Sequence, residues 1–121
     1  MIELDLRVAA DEWTHAIPEV TDLCQRALDA GAAQMATDGE VSLLLTDNEE
    51  IQALNRDWRN KDKPTDVLSF PSAEMDRPFL GDIAICLGVS RADAATKLSW
   101  LDQHLSHLII HGLFHLLGHD H

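Results

Sequence analysis

Six of the seven histidines in this 121-residue chain fall between His104 and His121. Neutral imidazole is the commonest protein ligand for transition metals, so their spacing is the first thing to test. At 100° per residue, His104, His107, His111 and His115 project from a helix within about 80° of one another. Around them stand Leu105, Leu108, Ile109, Ile110, Leu113, Phe114, Leu116 and Leu117. An apolar surface that wraps most of the circumference predicts a buried helix from about Asp102 to Leu117, with the rings on one narrow polar stripe. Polar rings on a buried stripe need partners. His111 and His115, one turn apart, can share a tetrahedral ion at ~2.0–2.1 Å per nitrogen. Gly118 is a natural left-handed helix stop, and it turns His121 back as a third ligand. His107 is ~12 Å along the axis from His115 and cannot join it on one ion, so His104 and His107 read as core or surface histidines. His119 and Asp120 fall in the turn; Asp120 reads first as a turn residue and second as a group that orients a ligand.

Residues 111–121 thus spell H-x-x-x-H-x-x-G-x-x-H, the ligand spacing of metzincin proteases. Gly112, however, occupies the position where those enzymes carry the glutamate that serves as general base. The cage is kept and the peptidase's proton-transfer group is missing, which disfavours a metallopeptidase. Three neutral imidazoles would leave an ion its full charge and one open position. Such a site lowers the pKa of bound water toward ~7 and polarises a phosphoryl or carbonyl oxygen. Zinc is the first choice, although other divalent transition metals accept imidazole as well.

The elements that must position this site are read from periodicity. Ile2, Leu4, Leu6 and Val8 alternate with Glu3, Asp5 and Arg7, as in a half-buried strand. Pro18 opens a helix to about Met35 with Val20, Leu23, Cys24, Ala27 and Leu28 as its apolar stripe. Residues 40–46 form a buried strand, and Asp47 with Glu50 caps a helix through Ile51, Leu54 and Trp58, the last placed in the core. A polar loop spans 59–66. Short strands follow at Val67–Phe70 and Ile83–Leu87, then helices opened by Ser90 with Asp93 and by Ser99 with Asp102. The order β-α-β-α-β-β-α-α, with no Gly-rich turn after the first strand, argues against a dinucleotide-binding fold. It predicts a small mixed β-sheet packed by helices, in the α+β class, as one domain over residues 1–121.

Nine Lys and Arg stand against 21 Asp and Glu, a net charge of −12, which argues against broad basic coating of nucleic acid or membrane. Four of the nine bases, however, lie between Arg56 and Lys63, the one place where an anion is met locally. No apolar run reaches the ~18 residues of a membrane span, and Met1 leads into alternating residues rather than a signal peptide. Cys24 and Cys86 read as buried free thiols of a reducing cytoplasm.

Three stretches resemble the YbeY family of bacterial rRNA maturation factors. They are Leu54-Asn55-Arg56-Asp57-Trp58-Arg59 with Lys61 to Pro71 (Lys-Asp-Lys-Pro-Thr-Asp-Val-Leu-Ser-Phe-Pro), Leu80-Gly81-Asp82-Ile83-Ala84-Ile85, and His111 to His121. The resemblance covers most of residues 40–121. It implies a zincin-like fold, a metal held by His111, His115 and His121, and a single-strand-specific endoribonuclease. The implied setting is 16S rRNA 3′-end maturation and ribosome quality control on the small ribosomal subunit. It also places the family's functionally important arginine at Arg59. Family members usually have Tyr at the position of His119 and usually continue past the last histidine, so a missing C-terminal segment is expected. In this reading Arg59 stabilises charge on the reacting phosphate, and Arg56, Lys61 and Lys63 guide the strand. Asp66 and Asp82 are candidate bases only as carboxylates near turns. The alternative from another class is a non-catalytic ribosome-assembly factor with a structural metal.

Overall fold

The alternation of Ile2 to Val8 does form a strand, β1 (Ile2–Val8), with its apolar positions turned inward. The structure, a computed structural model, describes residues 1–118. After β1 come α1 (Glu12–Ala16), α2 (Val20–Gln34), β2 (Gly39–Thr46) and α3 (Asn48–Arg59). They are followed by β3 (Val67–Pro71), a 3-10 turn at Glu74–Asp76, β4 (Phe79–Cys86), α4 (Leu87–Thr96) and α5 (Leu101–Leu116). The sheet runs β1-β2-β4-β3, with β1, β2 and β4 parallel and β3 antiparallel at the edge. This is the mixed sheet and α+β class that the periodicity predicts.

Strand parity divides the core. Val41, Leu43, Leu45, Ile83 and Ile85 join the main cluster with α2 and α5, whereas Ala84, Cys86 and Leu68 pack with Ile51 of α3 on the other face. α5 is the most deeply held helix: Leu105, Ile109 and Leu113 are fully buried and Leu108 and Leu116 nearly so. Each such side chain contributes on the order of 1.5–3 kcal/mol relative to exposure. Gly112 makes the close approach to the sheet possible, since a Cβ there would meet Ile83 at 3.1 Å.

Several boundaries differ from expectation. The short helix α1 is unforeseen: Trp13 is its one buried residue, too little to make a periodic stripe, and it is anchored by Nε1–H donating to the Thr46 carbonyl at 2.9 Å. α4 starts at Leu87, directly out of β4, so Ser90 is a buried helix-interior residue and not a cap. α5 is entered through Trp100, without a side-chain cap; Asp102 accepts from the Gln103 N–H instead. β4 begins at Phe79, because a bulge at Leu80, opposite Glu40/Val41, lets Phe79 and Gly81 extend the pairing. The Asp47 cap is present, accepting from the Glu50 N–H at 2.9 Å, while the Glu50 carboxylate turns to the Thr46 hydroxyl. Trp58 is 71% exposed and not core; it sits in the last turn of α3, edge-on to Phe70 of the edge strand, where the sheet ends. Both cysteines are free and buried, and burial pushes the Cys24 thiol up to about 12.

Gly81 ties this frame to α5. It sits at φ +143°, and a Cβ there would come within 2.8 Å of the Leu116 side chain and 3.1 Å of Pro71. Gly81→Ala is therefore expected to lower unfolding free energy by roughly 2–3 kcal/mol, read from urea denaturation; an unchanged midpoint would contradict this packing.

Candidate active site

α5 and the edge of the sheet enclose an open cleft of about 690 Å³. His111 and His115 form one side. Arg59 at the end of α3, Lys61 and Lys63 in the following loop, and Val67, Ser69 and Pro71 of β3 form the other. The helical spacing accounts for the first side: both rings leave α5 where its apolar circumference is interrupted, and both are half-buried. Their Nε2 atoms stand 2.9 Å apart, with ring centroids at 4.5 Å and planes nearly perpendicular. His107 extends the row, its ring stacked on that of His111 at 6.4 Å.

The pair fits the donor set of a transition metal. Two nitrogens on one tetrahedral ion stand ~3.3 Å apart, so a shared ion would require the rings to separate by only ~0.4 Å. Gly118 has φ +88°, the left-handed conformation expected of a helix stop. His121, the expected third ligand, lies outside the described residues, as do His119 and Asp120.

The basic side is built by α3 and its exit. Asn60 caps α3 in the left-handed conformation and releases the chain into the 60–66 loop. Arg59 donates to the Ser69 carbonyl and lies over the Phe70 ring at 5.3 Å, which sets the guanidinium on the rim of the cleft. Lys61 and Lys63 are exposed along the same wall. Arg56, expected beside them, does not line the cleft; it pairs with Asp57 at 3.2 Å and Asp62 at 3.9 Å.

No carboxylate lines the cleft among the described residues. Asp82 sits on the opposite face of the sheet, in a groove with Asp5, Arg7 and Trp58. Partial burial and the neighbouring Asp5 both raise its pKa. Asp66 accepts from the Val67 N–H at 2.8 Å, a local turn role. Asp66 also belongs to a second group able to hold a cation: its carboxylate, that of Asp93 and a ring nitrogen of His104 all lie within 4.8 Å of one another. Burial lowers the His104 pKa, with Lys97 adding to the effect and Asp93 and Asp66 opposing it.

Asn55 is a positioning residue that the sequence reading missed. It is 3% exposed, and its Nδ2 donates to the Lys63 carbonyl at 2.9 Å, pinning the basic loop to α3. The signal was present: Asn55 lies one turn after the buried Ile51, and a polar side chain on an apolar stripe needs a partner. Asn55→Ala is expected to cost about 1–3 kcal/mol in urea unfolding and to speed amide exchange across residues 61–65. Unchanged protection of that loop would contradict the role.

The chain matches the family model described as Endoribonuclease YbeY over residues 6–121. It is 46% identical to a protein of Stutzerimonas stutzeri named Endoribonuclease YbeY, over all of this chain and 76% of that protein. It is 40% identical to a protein of the same name from Paramagnetospirillum magneticum, over 99% of this chain and 80% of that one. Among solved structures it resembles TM1509 from Thermotoga maritima, with a TM-score of 0.64 and 28% identity, covering 100% of this chain and 75% of that one. The match to the family model and the near-full-length identities lead to one conclusion: the chain belongs to the YbeY family.

Proposed function

We propose that this chain is a single-strand-specific, zinc-dependent endoribonuclease, folded as one domain and acting in the bacterial cytoplasm. Its role would be 16S rRNA 3′-end maturation and ribosome quality control on the small ribosomal subunit. The observation that carries the reading is the juxtaposition, across one open cleft, of the His111–His115 pair with Arg59, Lys61 and Lys63. The names of the relatives, Endoribonuclease YbeY, supply the reaction class.

The residues divide the work by chemistry. His111, His115 and, from outside the described residues, His121 would hold the zinc ion. When bound, such an ion supplies Lewis-acid polarisation of a phosphate oxygen and lowers the pKa of a water. Arg59 carries five N–H donors in a planar fork; with one engaged at Ser69, the others remain to grip phosphate oxygens as charge develops. Lys61 and Lys63 attract the backbone as point charges from an exposed wall, so an unpaired strand can enter without base-specific contacts. With no carboxylate among the described cleft residues and a glycine at position 112, the lining lacks the general base of a metallopeptidase.

Purified protein is expected to cleave a single-stranded RNA oligonucleotide. His115→Ala and Arg59→Ala should each lower kcat/KM by about 10²–10³-fold with circular dichroism unchanged. Equal cleavage by wild type and both variants would point to a contaminating nuclease and defeat the proposal. Three bases contacting phosphates predict a log–log salt dependence of binding with slope ~−2, and Lys63→Gln should reduce its magnitude by ~0.7. A salt-independent affinity would remove the basic wall from the account.

A further inference from the structure

Beyond the histidine pair, α5 carries a second imidazole in an unusual setting. His104 is only 4% exposed, and its Nε2 has no hydrogen-bond partner. A buried ring nitrogen without a partner is costly unless something satisfies it. The group it faces is anionic: a ring nitrogen of His104 and one carboxylate oxygen from each of Asp66 and Asp93 lie within 4.8 Å of one another. Among the described residues, neither carboxylate takes part in a salt bridge. Asp66 spends one oxygen on the Val67 N–H and the Thr65 hydroxyl, which leaves the other available. Lys97, the nearby cation, forms no ion pair with Asp93.

We propose that Asp66, Asp93 and His104 form a second divalent-cation site, distinct from the His111–His115 pair. Two carboxylates neutralise a divalent charge, and one imidazole beside two oxygens is a donor set for Zn²⁺ or Mn²⁺ and not for Ca²⁺. Ligand atoms on an ion at ~2.1 Å stand ~3.0–4.2 Å apart, so closing the group from its present spread takes side-chain rotation of less than ~2 Å. The two aspartates are half-buried, which leaves room for water as the remaining ligands. Helical rise separates His104 from His111 by ~10.5 Å, too far for one ion to serve both places.

The location gives the site its consequence. Asp66 immediately precedes β3, Asp93 lies on α4, and His104 lies in the first turn of α5. A cation there cross-links the strand that forms the cleft wall to the helix that bears His111 and His115. It would act as a structural clip that fixes their separation, with no part in the chemistry.

The test is metal binding, read independently of nuclease activity. Chelator-stripped protein carrying His111→Ala and His115→Ala is dialysed against Zn²⁺ alone and, in a second arm, against Mn²⁺ alone. The expected result is one ion per chain in at least one arm, with affinity falling by tenfold or more on adding Asp93→Asn, an isosteric change on a half-buried position. The same metal should raise Tm by roughly 5–10 °C at a hundredfold excess over Kd, and the rise should vanish with Asp93→Asn. If the double variant does not fold, stoichiometry of otherwise wild-type chains is compared; Asp93→Asn should bind one ion fewer. Binding that is absent in both arms, or unaffected by Asp93→Asn, overturns the site and leaves a bridging water as the partner of His104.

Discussion

The burial of α5 against both the sheet and α2 is the constraint on which the site depends. Leu105, Ile109 and Leu113 have no exposed surface, so the helix cannot rotate about its axis without lifting several fully packed side chains into water. With the azimuth settled, the one polar stripe must face the gap beside β3, and His111 and His115 meet there with their Nε2 atoms 2.9 Å apart. Gly112 serves the same end. At a position where a protease has its catalytic carboxylate, this chain has no side chain at all, and the space is taken by Ile83 of β4. Gly112 thus both seats the helix against the sheet and leaves that position without the carboxylate a protease carries there.

A molecule with net charge −12 repels polyanions at long range, yet the proposed substrate is one. Distance resolves the conflict. Exposed charges are screened beyond ~8–10 Å at physiological salt, so a strand in the cleft senses mainly Arg59, Lys61 and Lys63. Pairing sharpens the contrast: Arg56 is neutralised by Asp57 and Asp62, and the acidic groove with Asp5 and Asp82 lies on the opposite face of the sheet. The basic loop keeps its place through Asn55 and the Lys63 carbonyl. Without that tether the cations would be attached to a flexible segment, and their field would be spread over a larger volume.

What could be read from the sequence follows from the range of the forces involved. The β1 alternation, the α2 stripe, the Asp47 cap and the α5 histidine row are local patterns with a fixed period, and each appears where the pattern places it. The left-handed Gly118 is local too. The misplacements all involve tertiary neighbours. Ser90 and Ser99 look like caps until β4 is seen to turn straight into α4 and Trp100 to lead into α5. Trp58 belongs by spacing to the buried stripe of α3, but the sheet ends at β3 and leaves the indole over Phe70 in solvent. Arg56 and Arg59 differ in role because one has acidic neighbours and the other has a carbonyl and a ring. Asp66 and Asp82, indistinguishable as carboxylates near turns, are told apart only by tertiary neighbours: Asp66 lies near Asp93 of α4 and His104 of α5, and Asp82 lies in the groove with Asp5 and Arg7.

The central claim, that His111 and His115 converge on one cation within a basic cleft, is tested most directly by anomalous scattering at the zinc edge from crystals of the zinc-loaded protein. The account predicts a peak bonded to Nε2 of both rings at ~2.0–2.1 Å, on the side of α5 that faces Arg59. A zinc-loaded crystal with no peak there, and with the two Nε2 atoms still in direct contact, would contradict it.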